Sequence, residues 1–172
     1  MNEPIPTSDP RNPNAVATSW EETRRALETA ELFWLTTVRA GGRPHVTPLV
    51  AVWHDGTLYF TITDDGQKAA NLRGNPHVIL TTGCNTRKEG LDVVVEGEAV
   101  RVTDQETLER VAAVWATKWD GGIWTYQVHD GHFRLYAEDG QKVLAASNLV
   151  FSVKPRKAFA FVTGRSQTRY QF

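Results

Sequence analysis

Alternation of apolar and polar side chains predicts that this chain is built mainly from short β-strands. Within residues 57–63, Tyr59 and Thr61 alternate with Phe60 and Ile62, which is the pattern of a strand with one apolar face. Comparable segments predict six further strands, at about 32–39, 44–53, 77–83, 91–102, 148–154 and 157–163. Gly97 interrupts a valine-rich run and predicts a bulge or bend there.

Three helices are predicted between these strands. Ser19 and Glu22 have the spacing of a capping box, for a helix that reaches about residue 31. A short helix is expected at about 67–75, where the period changes from two to that of a helix, and it ends before Pro76 because proline disfavours the α conformation of the preceding residue. A third helix is expected over about 106–118.

The remaining segments have no clear period. Residues 1–18 are rich in Pro, Asn and Thr with few apolar anchors, so we expect a flexible N-terminal arm. Residues 119–132 are aromatic and glycine-rich, and the stretch from Trp119 to Tyr126 is interpreted as a loop that either walls a pocket or covers one end of the fold. Residues 19–172 are therefore expected to form a single domain.

Composition narrows the class of protein. A chain of 172 residues with 41% hydrophobic and 23% charged residues is typical of one folded domain. The net charge of −1 gives no electrostatic basis for binding nucleic acid. Cys84 is the only cysteine, which favours a reducing compartment, and no apolar run approaches the roughly 18 residues of a membrane span. We therefore expect a cytoplasmic protein that contacts neither membrane nor nucleic acid.

The start of the short helix is a candidate anion site. Lys68 and the amide of Asn71 lie beside a helix N-terminus, where free N–H groups and the helix dipole favour negative charge. The alternative is a solvated basic helix that only joins two strands. A metal site is not expected, because His129 and His132 have no third ligand nearby in the sequence.

A set of residues in a fixed order carries a resemblance to a known family. The matching positions are Leu35, Thr37, Gly42, Pro44, His45, Pro48, Lys68, Asn71, Leu72, Asn75 and Pro76. This order resembles the pyridoxamine 5'-phosphate-oxidase-like family of FMN-binding split β-barrel proteins, over about residues 19–103. The resemblance implies a mainly β fold, a split β-barrel with flanking helices, and a cofactor of the flavin type, either FMN or the deazaflavin F420.

The resemblance also implies where the cofactor binds. In this family the cofactor lies in a groove between two subunits, and the apolar residues on both faces of strands such as 32–35 and 49–53 agree with a homodimer. The residues expected to bind the cofactor are Val46, Thr47, Pro48, Leu49, Thr63, Gln67, Lys68, Asn71, Arg169 and Tyr170.

The C-terminus departs from the true oxidases of the family. Arg169 and Tyr170 match the final arginine-aromatic pair, but the arginine-leucine-histidine segment that grips the vitamin phosphate in those enzymes is absent. Pyridoxamine phosphate oxidation is therefore not expected. For Arg169 the alternative is an arginine that stacks on a tyrosine or pairs with a carboxylate.

Three functions agree with this sequence. The first is an oxidoreductase that uses FMN or F420 to transfer hydride or electrons to or from a small organic substrate, with no catalytic side chain identified. The second is a non-catalytic module of the same fold that binds or senses a flavin or haem. The third is a dimeric scaffold whose groove holds no cofactor.

Overall fold

The computed structural model describes residues 3–8, 14–84, 86, 88–118, 124–137, 143–163 and 165–172. These residues form three helices and eleven strands. In chain order the elements are β1 (Thr7–Ser8), α1 (Trp20–Thr29), β2 (Phe33–Val38), β3 (Pro44–Leu49), β4 (Ala51–His54), β5 (Thr57–Thr63), α2 (Gln67–Gly74), β6 (His77–Thr82), β7 (Leu91–Val102), α3 (Gln105–Lys118), β8 (Trp124–His129), β9 (His132–Ala137), β10 (Val143–Val162) and β11 (Ser166–Gln171).

The strands close into a split β-barrel, as the sequence predicted. All pairings are antiparallel, and one path of neighbours runs β1-β11-β10-β7-β6-β2-β3. Only Val50 separates β3 from β4, so the two act as one bent strand that pairs first with β2 and then with β5. Because β5 also pairs with β10, this bent strand completes a ring of neighbours.

The long strand β10 pairs with two different strands along the same edge. Its residues 148–153 pair with β5 and its residues 157–162 pair with β11, while β7 pairs along both parts. The register shifts between Pro155 and Lys157, opposite Gly97. A Cβ at Gly97 would lie 2.7 Å from the carbonyl oxygen of Lys154, so the bend expected at this glycine is confirmed as a close backbone approach.

The three helices begin close to the predicted positions. The hydroxyl of Ser19 accepts a hydrogen bond from the N–H of Glu22, and α1 buries Trp20 and Leu27. It ends at Thr29, two residues before the expected end. At α3, a carboxylate oxygen of Asp104 accepts from the N–H of Thr107, which satisfies one free donor of the first turn.

Two clusters of buried side chains hold the molecule together. The larger one fills the barrel and includes Leu35, Phe60, Leu80 and Val95, all without exposed surface. The smaller one lies under α3 and includes Val52, Leu108, Trp115, Phe133 and Val150. Burying side chains of this size is worth roughly 1.5–3 kcal/mol each, so these clusters are the main source of stability.

The aromatic segment was interpreted wrongly over the part that the structure describes. Residues 124–137 form the hairpin β8–β9, and 119–123 lie outside the described residues. Asp130 and Gly131 have φ values of 50 and 75 degrees, and a two-residue type I′ hairpin turn requires positive φ at both of its central residues. Tyr126 packs between Trp115 and Phe133, so the hairpin covers the smaller cluster.

The N-terminal segment also differs from the expectation of a flexible arm. Thr7 and Ser8 pair with Arg169 and Thr168 of β11, and Pro4 is buried. Thr18 is buried as well, and its hydroxyl lies 2.8 Å from that of Ser166. The described residues of 1–18 therefore pack on the domain. Among the described residues, no helix combines the length and apolar character needed to cross a bilayer.

Candidate functional site

The N-terminus of α2 is open to an anion. Gly66 is the N-cap, and no side chain in the described part of the chain accepts a hydrogen bond from the first-turn N–H groups. Such groups and the helix dipole attract negative charge. A Cβ at Gly66 would lie 3.1 Å from the hydroxyl oxygen of Thr63, so Thr63 borders this helix start. Thr63 and Gln67 are exposed and Lys68 is half-buried, and the structure therefore brings these three predicted residues together.

Positive charge gathers beside this helix without a counter-charge. Burial, followed by the charges of Arg39 and Lys68, lowers the pKa of His45, so both positive charges act on this imidazole. No acidic side chain of the described residues forms an ion pair with Arg39 or Lys68. The nearby acid Asp64 pairs instead with Arg73, at 3.1 Å. The cluster of Arg39, His45 and Lys68 is therefore an electropositive patch, and we call it the cation cluster.

Asn71 supports this site through buried hydrogen bonds. Its side chain is buried and accepts a hydrogen bond from Nε2 of Gln67 at 2.8 Å. Its Nδ2 donates to the hydroxyl of Thr37 at 2.8 Å and lies 3.5 Å from Nδ1 of His45. We expected a direct contact between Asn71 and a cofactor. In the structure, the Asn71 amide instead forms hydrogen bonds that hold α2 against β2 and β3.

The outer edge of β3 is the second open feature. Among the described residues β3 pairs with β2 alone. The N–H of Arg39 donates to the carbonyl oxygen of Arg43, and bonded and non-bonded pairs alternate along an antiparallel ladder from there. The backbone groups of residues 44, 46 and 48 consequently face away from β2. Since residues 44 and 48 are prolines, the N–H of Val46 is the single outward donor of this stretch.

Side chains of β3 alternate between the two faces of the strand. Val46 and Pro48 are exposed, whereas Thr47 and Leu49 are half-buried and point toward the barrel. Leu49 packs against the larger core cluster. The hydroxyl of Thr47 is buried and has no hydrogen-bond partner among the described residues. Pro44, Val46 and Pro48 are thus the β3 residues that present side chains to a molecule lying on the outer face.

The matching edge of β4 is closed. The ammonium group of Lys118, at the end of α3, donates to the carbonyl oxygen of Ala51 at 2.9 Å and lies 5.6 Å from the centre of the Phe33 ring. Burial lowers the pKa of Lys118 to about 8. The open edge of the bent strand is therefore confined to β3, next to the cation cluster.

A family model agrees with this arrangement. The model described as pyridoxamine 5'-phosphate oxidase matches residues 19–135, which includes α2, β3 and the cation cluster. The chain belongs to the pyridoxamine 5'-phosphate oxidase family. No curated protein sequence matches it.

Several solved structures share the fold of this chain. A conserved hypothetical protein from Mycobacterium tuberculosis has a TM-score of 0.65 and 21% identity, over 89% of each chain. An F420 reductase has a TM-score of 0.54 and 22% identity, over 78% of this chain and 94% of its own. A FAD-binding protein from Mycobacterium smegmatis has a TM-score of 0.55 and 17% identity, over 90% and 98%. At these identities the likeness establishes the fold.

The structure separates the two predicted C-terminal site residues, Arg169 and Tyr170, from α2 and β3. Tyr170 has no exposed surface, and its ring lies 5.1 Å from that of Trp20. A fully buried side chain does not contact a cofactor, so the assignment of Tyr170 was wrong. Arg169 is exposed on β11, and four strands stand between β11 and β3 along the sheet path. Within one chain it is not part of the cation cluster.

Sequence reasoning missed two members of the cation cluster. No role was assigned to Arg39 from the sequence, and His45 was identified only as one of the positions that match the family pattern. Both flank the β2–β3 turn, about 25 residues before Lys68, and only the pairing of β2 with β3 and the packing of α2 on them bring the three together. The available signal was the arginine directly before Ala40-Gly41-Gly42, since a hairpin turn fixes the position of its flanking residues.

Proposed function

We propose that this protein is a homodimeric oxidoreductase that uses FMN or the deazaflavin F420 on a small organic substrate. One observation carries the proposal: the cation cluster and the uncapped start of α2 lie at one end of the open edge of β3. A flavin-type cofactor has the matching halves, an anionic phosphate and a flat ring with a polar edge.

The phosphate half fits the chemistry of these residues. Lys68 and Arg39 supply positive charge that no described acid neutralises, and the first-turn N–H groups of α2 supply neutral donors. Thr63 and Gln67 flank the same helix start and add a hydroxyl and an amide. A phosphate bound there would neutralise the positive charges of Lys68 and Arg39.

The ring half fits the edge of β3. The N–H and carbonyl groups of Val46 face outward and would bond the polar edge of the ring, while Val46 and Pro48 offer apolar contact. When bound, the cofactor supplies the hydride or electron transfer. The protein binds it, orients it and excludes water.

A second subunit would complete the groove. The outer face of β2, β3 and β6 presents Trp34 with 49% of its surface exposed and Val46 with 51%, beside a groove of about 400 Å³ next to Ile79. Contiguous apolar surface of this kind is typical of subunit interfaces. We propose that the face is covered by a second copy, which would bring Arg169 of that copy toward the cofactor.

Relatives of both cofactor classes agree with the proposal. One structural neighbour is titled F420 reductase and another FAD-binding protein. The phosphate site described above serves either class, and F420 carries a longer anionic tail that Arg39 and Arg169 suit. The choice between FMN and F420 therefore rests on measurement.

Fluorescence titration with FMN and F420 side by side tests the proposal. We expect at least one to bind, and Lys68→Ala to weaken that binding by about 1.5–3 kcal/mol, roughly 10-fold to 150-fold. Lys88→Ala is the matched control, since Lys88 is exposed in the loop after β6. Equal affinities in wild type and Lys68→Ala would show that the phosphate site is wrong. Binding without turnover of a reduced cofactor would identify a binding or sensing module.

A further inference from the structure

His45 occupies a constrained position in the cation cluster. It lies on β3, is half-buried, and has Nδ1 at 3.5 Å from Nδ2 of Asn71. The charged groups that act on it from the neighbouring elements are Arg39, after β2, and Lys68, on α2. No described acid offsets them. Its ring is therefore surrounded by donors and positive charge.

The hydrogen bonds around Asn71 determine which nitrogen of His45 carries the proton. The hydroxyl of Thr37 has one hydrogen, which it donates to the carbonyl oxygen of His45 at 3.3 Å. The hydroxyl oxygen of Thr37 must therefore accept a hydrogen bond from Asn71. The amide atom of Asn71 that faces Thr37 is consequently the nitrogen Nδ2 and not the oxygen. The amide oxygen of Asn71 accepts from Gln67 on the other side, which agrees with the same orientation.

This orientation leaves one role for Nδ1 of His45. Nδ2 of Asn71 lies 3.5 Å from Nδ1 of His45 and can only donate, so a hydrogen bond between them requires Nδ1 to accept and to carry no proton. A neutral imidazole protonated only at Nε2 then presents Nε2–H as a donor. A proton added at Nδ1 would face the N–H of Asn71 and would also be repelled by Arg39 and Lys68.

We propose that His45 is an anion-contacting residue of the cofactor site, which donates through Nε2, and that Asn71 is the positioning residue that fixes its tautomer. The inference rests on the proposed function for the identity of the anion. It adds a consequence of its own: an anion bound at the cluster favours the imidazolium form, so binding and protonation of His45 are coupled.

The direction of the coupling follows from linkage. Bound negative charge raises the pKa of His45, so anion affinity increases as pH falls through the range between the free and bound pKa values. Removing the donor of Asn71 makes a proton at Nδ1 less unfavourable. Asn71→Ala should therefore raise the pKa of His45 in the free protein and move the pH-sensitive range upward.

Histidine NMR tests the tautomer and the coupling. Sulfate is the probe, because it remains a dianion throughout the titration. We expect long-range ¹H–¹⁵N spectra of the free protein to show His45 protonated at Nε2 only. Saturating sulfate should move its titration midpoint to higher pH, and sulfate should bind at least threefold more tightly at pH 5.5 than at pH 8, about 0.7 kcal/mol. His77, an exposed histidine beside Glu98, is the internal control.

Variants separate the roles of the two residues. His45→Ala should remove most of the pH dependence of sulfate binding, and Asn71→Ala should shift it upward. Gln67→Ala, at an exposed position, removes one hydrogen bond to Asn71 and should shift the His45 midpoint in the same direction if Asn71→Ala does not fold. A proton on Nδ1, or a His45 midpoint unchanged by saturating sulfate, would overturn the proposal.

The result also distinguishes this inference from the proposed function. Sulfate coupling to His45 without any binding of FMN or F420 would support the anion role and remove the cofactor proposal. Binding of either cofactor without any change in the His45 signals would leave the cofactor proposal standing and overturn the role of His45.

Discussion

The phenol oxygen of Tyr170 donates a hydrogen bond to the carbonyl oxygen of Thr18, at 2.7 Å and across 152 positions of the chain. The hydroxyl of Thr23, on the first turn of α1, lies 2.7 Å from the same phenol oxygen. Burial is the largest cause that raises the pKa of Tyr170. The last strand is thus tied to the start of the first helix through one buried side chain.

Tyr170→Phe should therefore destabilise the fold. The substitution keeps the ring against Trp20 but leaves the carbonyl oxygen of Thr18 without this donor, at a cost of about 1–2 kcal/mol. For a chain of this length that corresponds to a fall in melting temperature of roughly 2–8 °C. Thermal and urea denaturation of the apo protein measure the loss.

Arg169→Ala is the control on the neighbouring position of β11. Arg169 is exposed, so its removal should change stability by less than about 0.5 kcal/mol. Equal melting temperatures for wild type and Tyr170→Phe would contradict the role of this contact. Unchanged cofactor affinity in Tyr170→Phe is expected, because the ring lies in the core.

The elements with strong local signals could be predicted from the sequence. Strand β5 has the predicted bounds, since Leu58, Phe60 and Ile62 are buried on one face and the other positions are not. Helix α2 ends one residue before Asn75, where Pro76 makes the helical conformation unfavourable. In both cases the deciding interactions lie within a few residues of each other.

The last strand was missed because its buried face is polar. Ser166 and Thr168 point inward and bond Thr18, whereas the residues between them are exposed. Periodicity of apolar residues cannot detect buried hydroxyl groups whose partners lie about 150 residues away. The hairpin β8–β9 was missed for another reason: the turn at Asp130-Gly131 was considered only as part of a metal motif.

Part of the candidate site is local in the sequence and part of it depends on long-range packing. Lys68 and the helix start belong to one local segment, which the sequence identified. Arg39 and His45 join them only through the register of β2 with β3 and the packing of α2. A single sequence does not specify that packing, so the sequence identified one cation, Lys68, and the structure adds a second cation, Arg39, and the imidazole of His45.

Arg39 provides a test of this enlarged site. Arg39→Ala should weaken binding of FMN or F420 by about 1.5–3 kcal/mol, because a charge-assisted contact to phosphate is lost. Arg43→Ala is the matched control on the other side of the same turn, where the side chain is exposed. Fluorescence titration at two salt concentrations measures both variants. Equal effects of the two substitutions would indicate general electrostatic attraction in place of a defined site.

The outer face of β2 provides a test of the homodimer. Trp34→Glu places a charge in the centre of the proposed interface and should convert a dimer into monomers at micromolar concentration. Val16→Glu, at a position with 66% exposed surface outside this face, is the control. Sedimentation velocity measures the mass of each variant. A wild-type protein that is monomeric at the same concentration would remove the interface and the contribution of a second Arg169.

The edge of β3 allows the sharpest test of how the ring is held. Val46→Pro deletes the single outward N–H between residues 44 and 48, at a position whose backbone does not bond β2. The strand ladder therefore keeps its hydrogen bonds, and the melting temperature should stay within about 4 °C of wild type, whereas affinity for the cofactor should fall by roughly 1–2 kcal/mol.

Thr47→Pro is the matched opposite of this substitution. The N–H of Thr47 faces β2 in a bonded pair with Leu35, so its removal breaks the ladder and should destabilise the fold by about 3 kcal/mol or more. A stable Val46→Pro protein with wild-type affinity for FMN and F420 would mean that the ring does not use this edge. A strongly destabilised Val46→Pro protein would mean that the alternation of bonded pairs is shifted by one residue. Because the two substitutions differ by one position, their contrast tests the register of β2 with β3 and the direction of the donor together.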